Sequence, residues 1–188
     1  MLLKDIGKGA VFGPPAAAAA AAKLLGLSPE EIEDAFGTAC TQACGLAAAK
    51  YESMAKRMQH GFAARNGLFA ALMSKSNYTG IDQVFERPHG GYLSCFGHGS
   101  NHDEHYLPAK LTDGLGVNWR GMAGMSIKPY ASQISTHAPI NCIETLQQQN
   151  LQRFEDLKSI QKIKITLAET PFAHGGMCFH VHPARVTG

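Results

Sequence analysis

Lys56-Arg57-Met58-Gln59-His60-Gly61-Phe62-Ala63-Ala64-Arg65-Asn66-Gly67-Leu68-Phe69-Ala70-Ala71-Leu72-Met73-Ser74-Lys75 carries both the fold and the chemistry of this chain. From about Gly61, the residues Phe62, Leu68, Phe69, Leu72 and Met73 recur at helical spacing. That pattern predicts a helix as far as Lys75 with these side chains on its buried side. Ala63, Ala64, Ala70 and Ala71 keep the helix slim, so a partner helix can lie close. Lys56 to Gly67 holds three cations, a histidine and two glycines, a density that suits a multiply charged anion. A solvated basic turn ahead of an amphipathic helix has the same charge content.

The residues upstream are also helical in pattern. Pro14 and Pro15 are expected in a first helical turn, where a missing N–H is tolerated. The run Ala16 to Leu25 then forms a packing helix that Gly26 stops in the left-handed conformation. Ser28-Pro29-Glu30-Glu31 reads as N-cap, N1 proline and capping-box glutamate. From it Ile32, Ala35, Phe36, Ala39, Ala43, Leu46 and Ala47 keep helical spacing for about five turns. Cys40 and Cys44 would then share a helix face, as core residues rather than metal ligands, since no second pair at matching spacing accompanies them. Asn77-Tyr78-Thr79-Gly80 breaks the chain and Ile81 to Glu86 adds a short helical turn. Helix after helix with short connections predicts an antiparallel all-α bundle.

Beyond Arg87 the pattern changes. Pro88 to Gly121 contains seven glycines and four of the nine histidines, which marks a long loop region. Within it His98, His102 and His105, beside Asp103 and Glu104, form the run most like a metal cluster, although their loose spacing also fits a polar loop. Met125 to Tyr130 reads as a short strand, Thr136 to Gln149 as a helix burying Ile140, Ile143 and Leu146, and Lys162 to Leu167 as an alternating strand. The expected fold is mainly α: an all-helical domain over residues 1–110, then an α+β domain over 111–188. The boundary falls near residues 105–122.

Composition narrows the function. Of 188 residues, 45% are apolar and 17% charged, which excludes a disordered chain. A net charge of +2 without a long basic run argues against a nucleic-acid partner. Five cysteines without a C-x-x-C pair read as reduced thiols of an intracellular protein. The N-terminus is too mixed for a signal segment, and the alanine run ends at Lys23, short of the ~20 residues a membrane span needs. A soluble, cytoplasmic protein with no membrane partner is expected.

Ala10-Val11-Phe12-Gly13, the alanine run, Leu24-Leu25-Gly26-Leu27-Ser28, Thr41-Gln42-Ala43-Cys44-Gly45-Leu46, Lys56-Arg57-Met58-Gln59-His60-Gly61 and Ser126-Ile127-Lys128-Pro129-Tyr130 follow one another at characteristic spacing. This series resembles the MmgE/PrpD family, which contains 2-methylcitrate dehydratase and cis-aconitate decarboxylase. The phrase from Lys56 to Gly67 is most similar to the fungal decarboxylases. The resemblance runs from Gly7 to about Thr170. It implies an all-helical domain and a smaller α+β lid with the active site between them, and a homodimer. It also implies a chain amounting to less than half of a full-length member, beginning inside the helical domain and stopping inside the lid.

The activity implied is that of a lyase on a tricarboxylic or alkylcitrate-derived acid, in specialised metabolism. A tricarboxylate brings about three negative charges, and each carboxylate must meet a fixed donor when it leaves water. Loss of CO2 from a β,γ-unsaturated acid leaves an allylic carbanion, and dehydration of an alkylcitrate passes through a related enolate-like state. Both call for preorganised positive charge and a proton donor, with no metal and no organic cofactor. By position, Lys56 matches the first active-site lysine of the family and Lys128 the second, as catalytic residues. Arg57 and His60 sit beside the first position and His137 matches a histidine beside the second lysine, and these three are expected to bind substrate. The sequence departs from the pattern at Gly7, where the family carries histidine, and at Gln133, where some decarboxylases carry one. A 2-methylcitrate dehydratase-like enzyme and a non-catalytic remnant are the alternatives.

Overall fold

The computed structural model describes residues 7–49, 53–97, 106–169 and Phe172. The chain divides into two compact units, one up to Asn118 and one from Trp119. Among the described residues the regular elements are helices of α or 3-10 type.

The first unit is built on α1 (Lys8–Leu25), α2 (Pro29–Cys40), α3 (Ala55–Lys75) and the short α4 (Tyr92–Gly97). α1 ends as its sequence requires: Gly26 takes φ 68°, and Leu27 N–H returns to the Ala22 carbonyl. α2 starts with the expected reciprocal cap, Glu31 N–H donating to Ser28 Oγ at 3.2 Å and Ser28 N–H to Glu31 Oε2 at 2.7 Å. It stops at Cys40 instead of continuing towards Ala47. Thr41 Oγ1 turns back onto the Thr38 carbonyl, and the following loop carries Gly45, whose carbonyl accepts from Gly7 N–H. Cys40 is therefore buried in the core while Cys44 is exposed, and the two do not share a helix face.

α3 begins at Ala55, so Lys56 to Gly61 is helical. Its buried face is Ala63, Gly67, Ala70, Ala71 and Ser74. Phe62, Leu68, Phe69 and Leu72, expected inside, are exposed, and Met73 is half-buried. Close approach explains the reversal. A β-carbon on Gly13 would strike Ala63, and one on Gly67 would strike Pro14 and the Ala17–Ala18 segment. Two helices this near make dense contact only through their smallest residues. Successive contacts (Gly9 with His60, Gly13 with Ala63, Gly67 with Ala17) advance in the same direction along both chains, so α1 and α3 run parallel. α2 runs against α3: Ser74 Oγ donates to the Glu31 carbonyl at 2.5 Å, near the start of one helix and the end of the other.

Pro14 and Pro15 lie inside α1, not in its first turn. Pro15 has no N–H to give to the Val11 carbonyl one turn earlier. Tyr92 Oη supplies the bond from α4 at 2.7 Å. Its ring is 5% exposed and lies edge-on to Phe85 at 5.6 Å and Phe96 at 5.0 Å. Tyr92→Phe is expected to lower stability by about 1–3 kcal/mol, because a buried carbonyl then loses its partner. Adding Pro15→Ala restores a backbone donor, so in urea unfolding it should recover more stability in the Tyr92→Phe background than in the wild type.

Burial also pushes the Cys40 thiol from 9.0 up to about 12, and raises the Tyr92 hydroxyl by the same desolvation. The unfolded chain ionises these groups first as pH rises. The stability tied to their neutral forms is therefore complete below pH 9.0 and declines towards about 12. Urea unfolding from about pH 8 to about pH 11 should show this fall, with a shallower slope in Cys40→Ala.

Residues 106–118 carry a single 3-10 turn, Pro108–Lys110, in keeping with a loop region. His98, His102 and His105 lie outside the described residues. The second unit contains α5 (Arg120–Ala123), α6 (His137–Gln149) and 3-10 turns at Ile134–Thr136, Leu151–Phe154 and Leu157–Ser159. Neither expected strand forms: residues 125–128 and 161–168 have no ladder partner among the described residues. Ile127 is 89% exposed and Ile163 62%. An alternating pattern becomes a strand only against a neighbour that takes its hydrogen bonds and covers its apolar face. On α6 only His137 is buried, with Ile140 half-buried and Ile143 and Leu146 exposed.

Candidate functional site

The residues singled out from the sequence fall into two groups, one in each unit. In the first unit, Lys56, Arg57 and His60 occupy the opening turns of α3 and are exposed. Lys56 and His60, four residues apart, share a face. Three chain segments meet here. Gln59 Nε2 donates to the Leu46 carbonyl at 2.9 Å, and Gly7 N–H to the Gly45 carbonyl at 2.8 Å. The His60 ring lies against α1 at Gly9, where any β-carbon would overlap it.

Because α1 and α3 are parallel and in this register, their positive ends lie on the same side. Each helix start carries the equivalent of about half a positive unit charge. At α3 the first amides are taken up locally, Ala55 N–H by Ser53 Oγ and Lys56 and Arg57 N–H by the Ser53 and Met54 carbonyls. Neither helix has an acidic residue in its first turn. Lys56 and Arg57 add full charges where the dipole already disfavours them. This placement works against helix stability and in favour of an anion.

In the second unit, Lys128 and His137 belong to one polar turn. Lys128 is exposed, and its Nζ donates to the Ser132 carbonyl at 3.0 Å. Thr136 Oγ1 donates to the Gln133 carbonyl at 2.7 Å and lies 2.8 Å from Ser132 Oγ, whose own hydroxyl can donate to it. Gln133 accepts Ser135 N–H at 2.6 Å and so caps the 3-10 turn that leads into α6. His137 is 8% exposed, and its Nε2 has no hydrogen-bond partner. The Tyr130 ring meets it edge-on, centroids 5.2 Å apart.

Sequence reasoning gives no role to Gln59, which ties α3 to the Leu46 loop, or to Tyr130, although both lie inside the motifs that mark the family. It also misses Asn141 and Glu144. Their only local signal is their spacing from His137, four and seven residues along one helix face.

A separate groove of about 500 Å³ lies between α2, the second half of α3 and the segment after it, lined by Thr38, Gln42, Asn66, Phe69, Tyr78 and Ile81 among others. It begins roughly 15 Å along α3 from Lys56 at helical rise. Its lining has no charged side chain, which makes it unsuited to a polyanion. Among the described residues there is no cluster of three or more metal-ligating side chains. No described helix is long and apolar enough to cross a membrane.

Residues 4–104 match the MmgE/PrpD N-terminal domain. The chain is 46% identical over 182 residues to a cis-aconitate decarboxylase-like protein, oryM, of Aspergillus oryzae, covering 96% of this chain and 38% of that protein. It is 42% identical over 170 residues to a cis-aconitate decarboxylase of Aspergillus terreus, covering 89% of this chain and 34% of the relative. The chain thus spans little more than a third of the length of these relatives.

Proposed function

The chain belongs to the MmgE/PrpD family, and we propose that it supplies the carboxylate-binding part of a lyase acting on cis-aconitate or a closely related tricarboxylic acid. The observation that carries this reading is the convergence of two parallel helix starts with Lys56, Arg57 and His60. In this reading Lys56 and Lys128 are catalytic. Arg57, His60 and His137 bind the remaining carboxylates. Residues 1–110 belong to a helical domain and 111–188 to a lid.

The reaction breaks the bond between a carboxylate carbon and its neighbour. CO2 leaves, and the electron pair passes into the allylic system. Ammonium groups held near the retained carboxylates stabilise that charge, and one lysine returns the proton. Assembly as a homodimer and a role in specialised metabolism rest on the family resemblance alone, and residence in the cytoplasm on composition and cysteine usage.

The test is turnover of cis-aconitate by the purified chain, read as released CO2, with 2-methylcitrate offered as the competing substrate and read as dehydration. CO2 release from cis-aconitate supports the proposal. Dehydration of 2-methylcitrate alone would assign the other chemistry of the family. A chain inactive on both, and unable to bind either, would overturn the reading.

A further inference from the structure

We propose that Tyr130 is a positioning residue that holds His137, and with it the Lys128 turn, in place to receive a substrate carboxylate. The inference rests on the proposed function and adds to it a part that the family resemblance did not assign. A buried polar atom without a partner is uncommon in folded proteins and unfavourable by itself. His137 Nε2 is such an atom, on a side chain more than nine-tenths buried.

The surroundings of the ring are built rather than accidental. His137, Asn141 and Glu144 lie at i, i+4 and i+7, on one face of α6. The Tyr130 side chain lies along that face. Its ring meets the imidazole edge-on with an interplanar angle of 86°. Its hydroxyl donates to Glu144 Oε2 at 2.6 Å and is in contact with the Asn141 side-chain oxygen. The same bond to Glu144 raises the hydroxyl's pKa above its ordinary value.

One tyrosine is therefore anchored at its far end by two residues of the helix whose first residue it packs against. Pro129 restricts the backbone immediately before it, and Lys128 precedes that proline with its Nζ folded onto Ser132. Tethering Tyr130 to α6 consequently limits the positions open to Lys128 as well. Pure packing would not require the hydroxyl to be held by a carboxylate, nor leave an imidazole nitrogen unpaired beside it.

The test uses the full chain with 15N-labelled histidine. The His137 ring signals are assigned by their loss in His137→Asn and followed while cis-aconitate is added. Backbone amides of Lys56 and Lys128 are followed in parallel. The wild type is expected to show a shift of Nε2 that saturates with ligand. In Tyr130→Ala the half-saturating concentration should rise about tenfold, the size of one well-made ring contact. Tyr130→Phe, which keeps the ring, and Glu144→Gln, which weakens the anchor while leaving the fold intact, should fall between the two.

Equal half-saturation in all variants would overturn the positioning role and leave the proposed function standing. So would a wild type in which the Lys56 amide responds and His137 does not. Absence of any response in the chain would overturn both.

Discussion

Lys56→Ala and Lys128→Ala are each expected to slow cis-aconitate turnover by roughly 30- to 1,000-fold relative to an active wild type. The range corresponds to about 2–4 kcal/mol, the measured effect of deleting one preorganised donor to a developing negative charge. The size of the effect separates a catalytic lysine from a solvated one. Both side chains are exposed, and an exposed lysine contributes only about 0–1 kcal/mol through its pairings. A change within twofold would therefore return Lys56 and Lys128 to the surface. For Lys56 the expectation has support in the fold, because its charge sits at a helix start where it is otherwise unfavourable. For Lys128 it rests on the family match and on the shared turn with His137. Turnover should be measured with substrate saturating and limiting, since loss in kcat marks transition-state charge and loss confined to KM marks uniform binding.

The largest stability effect should come from Gly67→Leu. Mid-helix glycine is unfavourable by about 1 kcal/mol relative to alanine, so its presence in α3 needs a reason. The reason is the crossing with α1: a β-carbon here overlaps the Pro14 carbonyl oxygen, Ala17 Cβ and Ala18 N. Two of these atoms are helix backbone and cannot move aside without separating the helices. Gly67→Leu is expected to destabilise the first unit by about 3 kcal/mol. That corresponds to a drop in Tm of roughly 10–20 °C.

Gly61, on the same helix, faces open space: a β-carbon added there would meet nothing within 4 Å. Gly61→Ala should therefore raise stability by up to about 1 kcal/mol. Thermal unfolding of both variants tests the pair together, and a neutral Gly67→Leu would mean that α1 and α3 are not in close contact. The register of the crossing also sets the start of α1 beside His60, one helical turn from Lys56.

What the sequence by itself determined about this protein is local or lineal. The Ser28–Glu31 cap and the Gly26 stop were legible because each depends on chemistry within a few residues. Family membership was legible from ordered motifs, and Lys56, Arg57, His60, Lys128 and His137 were singled out on that resemblance alone. Tertiary structure decided which face of α3 is inside. Hydrophobicity pointed to Phe62, Leu68, Phe69 and Leu72, whereas steric fit against α1 selected alanine, glycine and serine.

Tertiary structure also decided that the Val11 carbonyl freed by Pro15 is met by Tyr92, 81 residues away in sequence. It decided that the alternating residues of the second unit remain unpaired among the described residues, since a strand exists only through its neighbour. The two arrangements on which the proposals draw are likewise non-local: the parallel starts of α1 and α3, and Tyr130 lying along α6 against His137. A periodicity in the sequence shows that a residue has a face. Only the packing of another segment settles what that face meets, because contact energies depend on distances that the order of residues does not contain.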